Sequence, residues 1–283
     1  MLLPALMKRH GSDLLLSPLP EAPLFRDIRS VVLVHDLIPL RFPRVTPLLA
    51  YHMTYLPLVL QQAERVLCNS LSTARDVHQR LKVPHHKLQP ISLGVNPNQF
   101  YPLDRQREPF FLVLGRHDPH KNLKRVLKAF AALSCPEVQL KFVGPHHTSY
   151  TPTLQRLAKE LQIDSRCQWY PWVSDDERLE LLNRCQALLI PSLWEGFGLP
   201  ALEAMACGTP VIGGNQGALP EVLGEVGLLV DPLRTEAITS AMQRLISEPQ
   251  LSAQLAGSGV HRAAQYSWST TAQQVQRVIT ALA

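Results

Sequence analysis

The sequence predicts an α/β protein in which parallel β-strands alternate with helices in two Rossmann-like, doubly wound domains. Short apolar runs recur along the 283 residues with helical stretches between them, as in successive βα units. A hydrophobic content of 46% is enough to fill two cores of ordinary size. Residues 103–109 are charged and lack an apolar period, so we place the domain boundary between residues 105 and 106.

The first domain, residues 1–105, contains four predicted strands. They cover residues 13–16, 31–35, 65–69 and 88–93. Helices are predicted over residues 51–62, despite Pro57, and over residues 72–81, where Ser and Thr are favourable N-caps. A complete doubly wound sheet has about six strands, so this domain is predicted to be incomplete.

The second domain, residues 106–265, contains six predicted strands and therefore a complete doubly wound sheet. The strands cover residues 110–115, 139–143, 168–173, 187–190, 210–213 and 227–230, and the helices cover 123–133, 154–161, 175–184, 200–206 and 235–247. A terminal helix within residues 266–283 is expected to pack back towards the first domain. Ligands of open α/β sheets bind at the carboxyl ends of the strands, so the loops there form the candidate site.

Composition limits the classes of partner and compartment. The five cysteines form no C-x-x-C pair, which argues against a zinc site or a disulfide framework and indicates a reducing, cytoplasmic setting. No apolar run reaches the roughly 18 residues that span a bilayer. The formal net charge of +5 lies in residues 1–105, which hold 12 Lys and Arg against 7 Asp and Glu. This excess suggests a phosphorylated acceptor or peripheral contact with the inner face of a membrane, with ordinary solvated charge as the alternative.

A glycine-rich turn with two acidic residues is the most informative stretch of the sequence. Glu195 precedes a predicted helix and Glu203 lies inside it, with seven residues between them. The backbone N–H groups between them lie at a helix N-terminus, which suits a phosphate or a polar sugar edge. An ordinary strand-to-helix connection with solvated acids is the alternative. Those N–H groups belong to Gly196, Phe197, Gly198 and Leu199.

Two further groups of residues follow predicted strands. Arg116 and Lys121 lie in the loop after the first strand of the second domain, where a helix N-terminus adds positive potential, so the loop can hold a diphosphate without a metal. A solvated basic loop is the alternative. His35 and Asp36 lie at the carboxyl end of the strand over residues 31–35, where a structural hydrogen-bonding role of the histidine competes with a functional one.

The remaining histidines do not predict a metal site. They are adjacent pairs or loop residues, and no Cys or carboxylate completes a known ligand spacing. They comprise His85, His86, His117, His120, His146 and His147. The patterns G-x-S-x-G and G-x-x-x-x-G-K-[ST] do not occur, so a hydrolase nucleophile elbow and P-loop phosphotransfer have no support.

Seven runs of the sequence carry a family resemblance that covers nearly the whole chain. They are HDLIPLRFP, CNSLSTARDV, ISLGVNPNQFYP, GRHDPHKN, EGFGLPALEAMACGTPVI, LPEV and GLLVDP. Together they closely resemble the retaining GT-B glycosyltransferases of family 4, which include bacterial mannosyltransferases and glucosyltransferases of polysaccharide assembly. The resemblance implies a GT-B fold, with two Rossmann-like domains that face a cleft.

The resemblance also implies roles for the residues named above. Arg116 and Lys121 would neutralise the donor diphosphate, and Glu203 would hold the nucleotide ribose. Glu195 would contact the hydroxyls of the donor sugar, and the backbone of the glycine-rich turn would bind sugar and phosphate. His35 would contact the sugar near its reacting centre. No general base is assigned, because the resemblance implies a same-face mechanism in which a diphosphate oxygen assists.

The implied reaction is transfer of a hexose, of mannose or glucose type, from a GDP- or UDP-sugar to a hydroxyl of a glycan or lipid-linked glycan. It uses no cofactor and no metal, and no nucleic-acid partner is expected. A nucleotide-sugar-binding remnant without turnover is the alternative function. A phosphorylase is a third, for which no lysine-rich cofactor motif is evident.

One departure from the family pattern concerns the start of the chain. Family members begin with a strand, a glycine-rich loop and further βα units before the segment that starts here at Met1. The chain is therefore expected to enter its N-terminal domain partway. A truncated gene model, a gene fragment and a short protein completed by a partner are the alternative explanations.

Overall fold

The structure, a computed structural model, describes residues 2–24 and 28–282. They form two compact units, Met1–Gly94 with Trp268–Ala283, and Val95–Ser267. Each unit contains one sheet in which all described strand pairs are parallel. The predicted α/β fold class is therefore confirmed.

Ten strands and twelve α-helices occur in the described residues. The strands are β1 Leu14–Ser17, β2 Arg29–Val34, β3 Arg65–Cys68, β4 Leu88–Pro90, β5 Phe110–Leu114, β6 Gln139–Val143, β7 Cys167–Tyr170, β8 Ala187–Ile190, β9 Val211–Gly214 and β10 Leu228–Val230. The helices are α1 Leu2–Arg9, α2 Ile38–Arg41, α3 Pro47–Gln62, α4 Leu71–Leu81, α5 Leu123–Ala131, α6 Tyr150–Glu160, α7 Asp175–Arg184, α8 Leu199–Ala206, α9 Leu219–Leu223, α10 Thr235–Ser247, α11 Pro249–Ala263 and α12 Trp268–Thr280. None of the described helices is both long enough and apolar enough to cross a membrane.

The first unit has a four-stranded sheet in the order β1-β2-β3-β4. Its larger core contains apolar residues of β2, β3, α3 and α4. Helix α4 begins at Ser70, whose hydroxyl accepts the Thr73 N–H at 2.9 Å as an N-cap. Helix α12 packs on the same sheet, and its Thr271 hydroxyl donates to the Ser92 carbonyl oxygen at 2.7 Å.

The second unit has a six-stranded sheet in the order β10-β9-β8-β5-β6-β7. This is the order of a complete doubly wound sheet, and its direction reverses between β5 and β8. All five residues of β5 are buried, as expected for a central parallel strand covered on both faces. The main core includes the fully buried Phe111, Phe130 and Phe142.

The structure divides the chain earlier than the predicted boundary at residue 105. The division follows Gly94, because residues 95–105 are attached to the second unit by hydrogen bonds. The Val95 N–H donates to the Tyr266 carbonyl oxygen at 3.2 Å, and the Leu103 N–H donates to Asn183 Oδ1 at 2.7 Å. Local composition carries no information on such partners, which are distant in sequence.

Four helices have no counterpart in the sequence-based assignment: α1, α2, α9 and α11. Helix α11 contains Gly257 and Gly259, which lower helix propensity. Gly259 lies against α8, where an added Cβ would be 3.5 Å from Met205 Cγ. Tertiary packing therefore stabilises a helix that propensity alone disfavours. Helix α6 also begins at Tyr150, before the predicted start at residue 154.

We expect Leu127→Ala to lower the free energy of unfolding of the second unit by about 2–5 kcal/mol, because it leaves a cavity around a fully buried side chain. The measurement is urea denaturation followed by circular dichroism. Leu233→Ala is the matched control, since Leu233 is 61% exposed and its truncation should change stability by no more than about 0.5 kcal/mol. Equal effects of the two substitutions would contradict the observed core.

Candidate functional site

The candidate site lies where the strand order of the second unit reverses. Strands β5 and β8 pair in parallel, with Phe111 opposite Ala187, so the loops at their carboxyl ends are neighbours. The backbone also joins these loops directly, because the Leu193 N–H donates to the His120 carbonyl oxygen at 2.8 Å. Crevices at such switch points are the usual ligand sites of open α/β sheets.

An ion pair connects the two loops. Lys121 Nζ lies 2.8 Å from Glu195 Oε1 and 3.0 Å from Oε2. The Ser192 hydroxyl donates to Glu195 Oε1 at 2.6 Å. The Glu195 side chain is only 8% exposed, and a buried carboxylate needs such partners. The structure thus brings the predicted residues Lys121 and Glu195 together and adds Ser192.

Asn122 holds the loops in place and was missed by the sequence analysis. Its backbone has a left-handed φ of 63°, which Asn tolerates better than most residues. Its side-chain amide donates to the carbonyl oxygens of Pro191 at 3.0 Å and Pro232 at 2.6 Å. The available signal was an Asn at a helix start directly after Lys121, but its acceptors are distant in sequence.

The glycine-rich turn leads into α8. Gly198, the N-cap residue, has a φ of 101°, which only glycine adopts readily, and an added Cβ would lie 2.7 Å from Leu219 Cδ2. Phe197 is buried and its ring is edge-on to Tyr266 at 6.0 Å. Among the described residues, the N–H groups of Phe197, Gly198 and Leu199 have no hydrogen-bond acceptor. Gly196, the fourth predicted residue, lies in the same turn.

The backbone of this turn also packs closely against the loop after β9. Gly217 has a φ of 68°, and an added Cβ would lie 2.6 Å from the Glu195 carbonyl oxygen. The neighbouring Ala218 N–H donates to that oxygen at 3.0 Å. A side chain at position 217 would therefore displace Glu195.

Glu203 lies inside α8 and faces a different cation. Arg178 Nη1 of α7 lies 3.6 Å from Glu203 Oε2, and its guanidinium lies 4.7 Å from the centre of the Phe100 ring. The Glu203 side chain is 16% exposed. Burial raises the pKa of Glu203 from 4.5 to about 7, and the opposing charge of Arg178 reduces that shift.

Arg178, like Ser192 and Asn122, was missed by the sequence analysis. Besides the Glu203 contact, its Nε is buried without a hydrogen-bond partner among the described residues. Its sequence position, in a helix capped by Ser174 and rich in Asp and Glu, gives no signal of the contact with Glu203. The two acids that bracket the turn therefore have separate cationic partners, from the loop after β5 and from α7.

The other predicted residues occupy varied environments. Arg116 is exposed at the start of the β5 loop, and no ion pair of Arg116 occurs within residues 2–24 and 28–282. His35 belongs to the first unit, directly after β2, where its exposed ring places Nε2 2.9 Å from the Pro18 carbonyl oxygen. Asp36 Oδ1 accepts the Ile38 N–H at 2.9 Å, which is a structural role. The role of His35 stays a prediction.

One histidine of the second unit, His117, occupies a buried structural position. His117 is fully buried, and its Nδ1 lies 3.0 Å from the Thr151 hydroxyl. Burial, aided by the neighbouring His146, lowers the pKa of His117 to about 4, so the ring stays neutral at physiological pH. No group of three or more His, Cys, Asp or Glu side chains suited to a metal ion occurs within the described ranges.

Family models match most of the chain. Residues 97–261 match the model described as glycosyl transferases group 1, and residues 1–99 match the model for glycosyltransferase family 4. The boundary between these matches lies near the division of the two compact units.

Curated relatives include several mannosyltransferases. The MMP alpha-(1->4)-mannosyltransferase of Mycolicibacterium hassiacum is 34% identical over 78% of this chain and 54% of its own length. The serotype-specific mannosyltransferase WbdA of Escherichia coli is 27% identical over 93% of this chain and 34% of its own length. The chain thus spans about half, or less, of the length of these relatives.

Solved structures confirm the predicted GT-B fold. Sucrose-phosphate synthase from Thermosynechococcus elongatus superposes with a TM-score of 0.83 at 24% identity, over 99% of this chain and 76% of that one. HepE from Anabaena, in complex with UDP and glucose, also gives 0.83, at 20% identity over 98% of this chain and 80% of that one. Likeness at this identity concerns the fold alone. With the family model that matches residues 97–261, these findings show that the chain belongs to the group 1 glycosyl transferases.

Proposed function

We propose that the chain transfers a hexose, of mannose or glucose type, from a nucleotide-diphosphate sugar to a hydroxyl of a glycan or lipid-linked glycan in polysaccharide assembly, with retention of anomeric configuration. The observation that carries the proposal is the ion pair of Lys121 and Glu195 at the switch point of the sheet. The mannosyltransferase relatives favour a mannose-type hexose, and HepE has been solved with UDP-glucose.

The diphosphate would lie beside Lys121. The Lys121 ammonium group has three hydrogens. Two of them can bond to the two carboxylate oxygens of Glu195, which leaves the third for a phosphate oxygen. The exposed guanidinium group of Arg116 can add a bidentate hydrogen bond to the diphosphate, and the N-terminus of α8 contributes positive potential. These groups stabilise negative charge that grows as the diphosphate leaves.

The ribose would hydrogen-bond to Glu203. An ionised carboxylate can accept from two neighbouring hydroxyls, and bonds to a charged acceptor are stronger than neutral ones. Arg178 would hold this carboxylate in place from α7. Glu195, oriented by Lys121 and Ser192, would accept hydrogen bonds from hydroxyls of the donor sugar.

The transfer step needs no protein nucleophile. The bond from the anomeric carbon to the diphosphate oxygen breaks while a bond to the acceptor oxygen forms on the same face. The acceptor proton then passes to the departing phosphate oxygen. Nothing in this scheme requires a metal or cofactor, since Lys121 and Arg116 supply the positive charge. A cytoplasmic location and peripheral contact at the inner membrane face remain predictions.

We expect Glu203→Ala and Lys121→Ala each to weaken nucleotide binding by about ten- to a hundredfold, because each removes a charged hydrogen-bonding group. Calorimetric titration with UDP, GDP and ADP, and with their sugars, gives the affinities and identifies the base. Glu236→Ala and Lys128→Ala are matched controls, since both residues are exposed. Unchanged nucleotide affinity in both site variants would contradict the proposal. Nucleotide-sugar binding without any sugar transfer would instead match the alternative function, a binding remnant without turnover.

We expect nucleotide affinity to fall as the pH is lowered from about 8 to about 6, because Glu203 then gains a proton and loses acceptor capacity. In Glu203→Gln this component of the pH dependence should disappear, while titration of the nucleotide phosphate remains. The folded pKa lies above the ordinary 4.5, so Glu203 lowers stability as the pH rises through about 7. Thermal unfolding of Glu203→Gln should lack that decrease. Identical pH profiles of the two proteins would contradict the assigned pKa.

We expect sugar transfer to persist in excess EDTA, because Arg116, Lys121 and the α8 N-terminus can balance the diphosphate charge. The measurement is the initial rate of transfer with and without the chelator, with added Mg²⁺ as the control. Loss of activity in EDTA that Mg²⁺ restores would show that a divalent ion takes part.

A further inference from the structure

A second concave surface lies in the second unit, along α7. The cavity has a volume of about 420 Å³, within the range of ligand pockets. It runs between one face of α7 and strands β5, β6 and β7, from Phe110 to Trp172. None of Lys121, Glu195 and Glu203 lines it. We call it the α7 groove.

Two exposed aromatic side chains form one end of the α7 groove. Trp172 is 75% exposed and Tyr170 is 37% exposed. They are two residues apart at the end of β7, as expected for side chains on one face of an extended strand. The Tyr170 hydroxyl donates to Gln168 Oε1 at 2.6 Å, which fixes the ring. An indole left so open to solvent is unusual, because Trp is highly buried on average.

Four of the six charged side chains that line the α7 groove already have polar partners. Arg184 forms an ion pair with Glu108. Glu180 accepts from Arg105 at 2.9 Å, and Glu177 accepts the Ser174 N–H in the capping box of α7. A paired carboxylate still has free lone pairs, and a paired guanidinium group still has free N–H groups. Both can form hydrogen bonds with hydroxyl groups while the ion pairs stay intact.

These features select a neutral, polyhydroxylated ligand with an apolar face. Exposed ring faces offer a flat apolar surface, and the neighbouring acids and Arg184 offer acceptors and donors around it. Anionic ligands are disfavoured, because Glu108, Asp176, Glu177 and Glu180 outnumber Lys141 and Arg184 in the lining. The groove is also elongated, since its α7 residues from Asp176 to Arg184 span about 12 Å of helix.

We propose that the α7 groove is a secondary binding site for a glycan chain, in which sugar rings stack on Trp172 and Tyr170 while their hydroxyls bond to the paired acids of α7. The inference rests on the proposed function, because a glycan is the acceptor and the product of that reaction. The groove would hold the polymer away from the donor residues. Transfer to long acceptors would then depend on it, and transfer to short acceptors would not.

The test is calorimetric titration of the whole chain with manno-oligosaccharides of increasing length, with a gluco-oligosaccharide series in parallel. We expect Trp172→Ala to weaken oligosaccharide binding by about tenfold and Trp172→Phe to keep most of it. Trp268→Ala is the matched control, since Trp268 is an exposed Trp of the first unit. Nucleotide affinity should be unchanged in Trp172→Ala.

Equal oligosaccharide affinities in wild type and Trp172→Ala would overturn the proposal, as would the absence of binding by either series to a folded chain that still binds nucleotide. A loss of nucleotide affinity in Trp172→Ala would also overturn it. Oligosaccharide binding that requires Trp172 would support the groove. If nucleotide affinity were at the same time unchanged by Glu203→Ala and by Lys121→Ala, the assigned donor site would be refuted while the groove stood. The two proposals can therefore fail separately.

Discussion

The parallel pairing of β5 with β8 is the constraint on which the candidate site depends. These strands are distant in sequence, yet their pairing places the loop that carries Lys121 beside the loop that carries Glu195. Asn122 then joins the carbonyl oxygens at the ends of β8 and β10 through one buried amide. The site is therefore rigidly attached to the sheet, and its geometry follows from the strand order.

Pairing of buried charges explains the arrangement of the site. A largely buried carboxylate is costly unless a cation or several donors face it. Glu195 meets this requirement through Lys121 and Ser192, whereas Glu203 has Arg178 at a longer distance and keeps a raised pKa. Glu195 is thus held by close partners, whereas Glu203, with its pKa of about 7, lies near the midpoint of its titration at neutral pH.

Helix α7 contributes side chains both to the candidate site and to the α7 groove. Arg178 extends from it to Glu203, while Glu180 and Arg184 line the α7 groove. Residues four apart on a helix share a face, so Glu180 and Arg184 lie on the same face of α7. Arg178, two residues before Glu180, lies on a different face. The capping box at Ser174 fixes the start of the helix and hence the register of both sets.

The sequence by itself determined the α/β class and the four and six strands, because apolar periodicity is a local property. The local motif spacing also predicted Lys121, Glu195 and Glu203 as site residues, and their roles stay predictions. The tertiary structure alone decided which groups meet. Asn122 and Arg178 entered the site through contacts with segments that folding brings together, and residues 95–105 joined the second unit for the same reason. Whether Glu203 is solvated or buried, and so its pKa, also depends on packing that no local pattern contains.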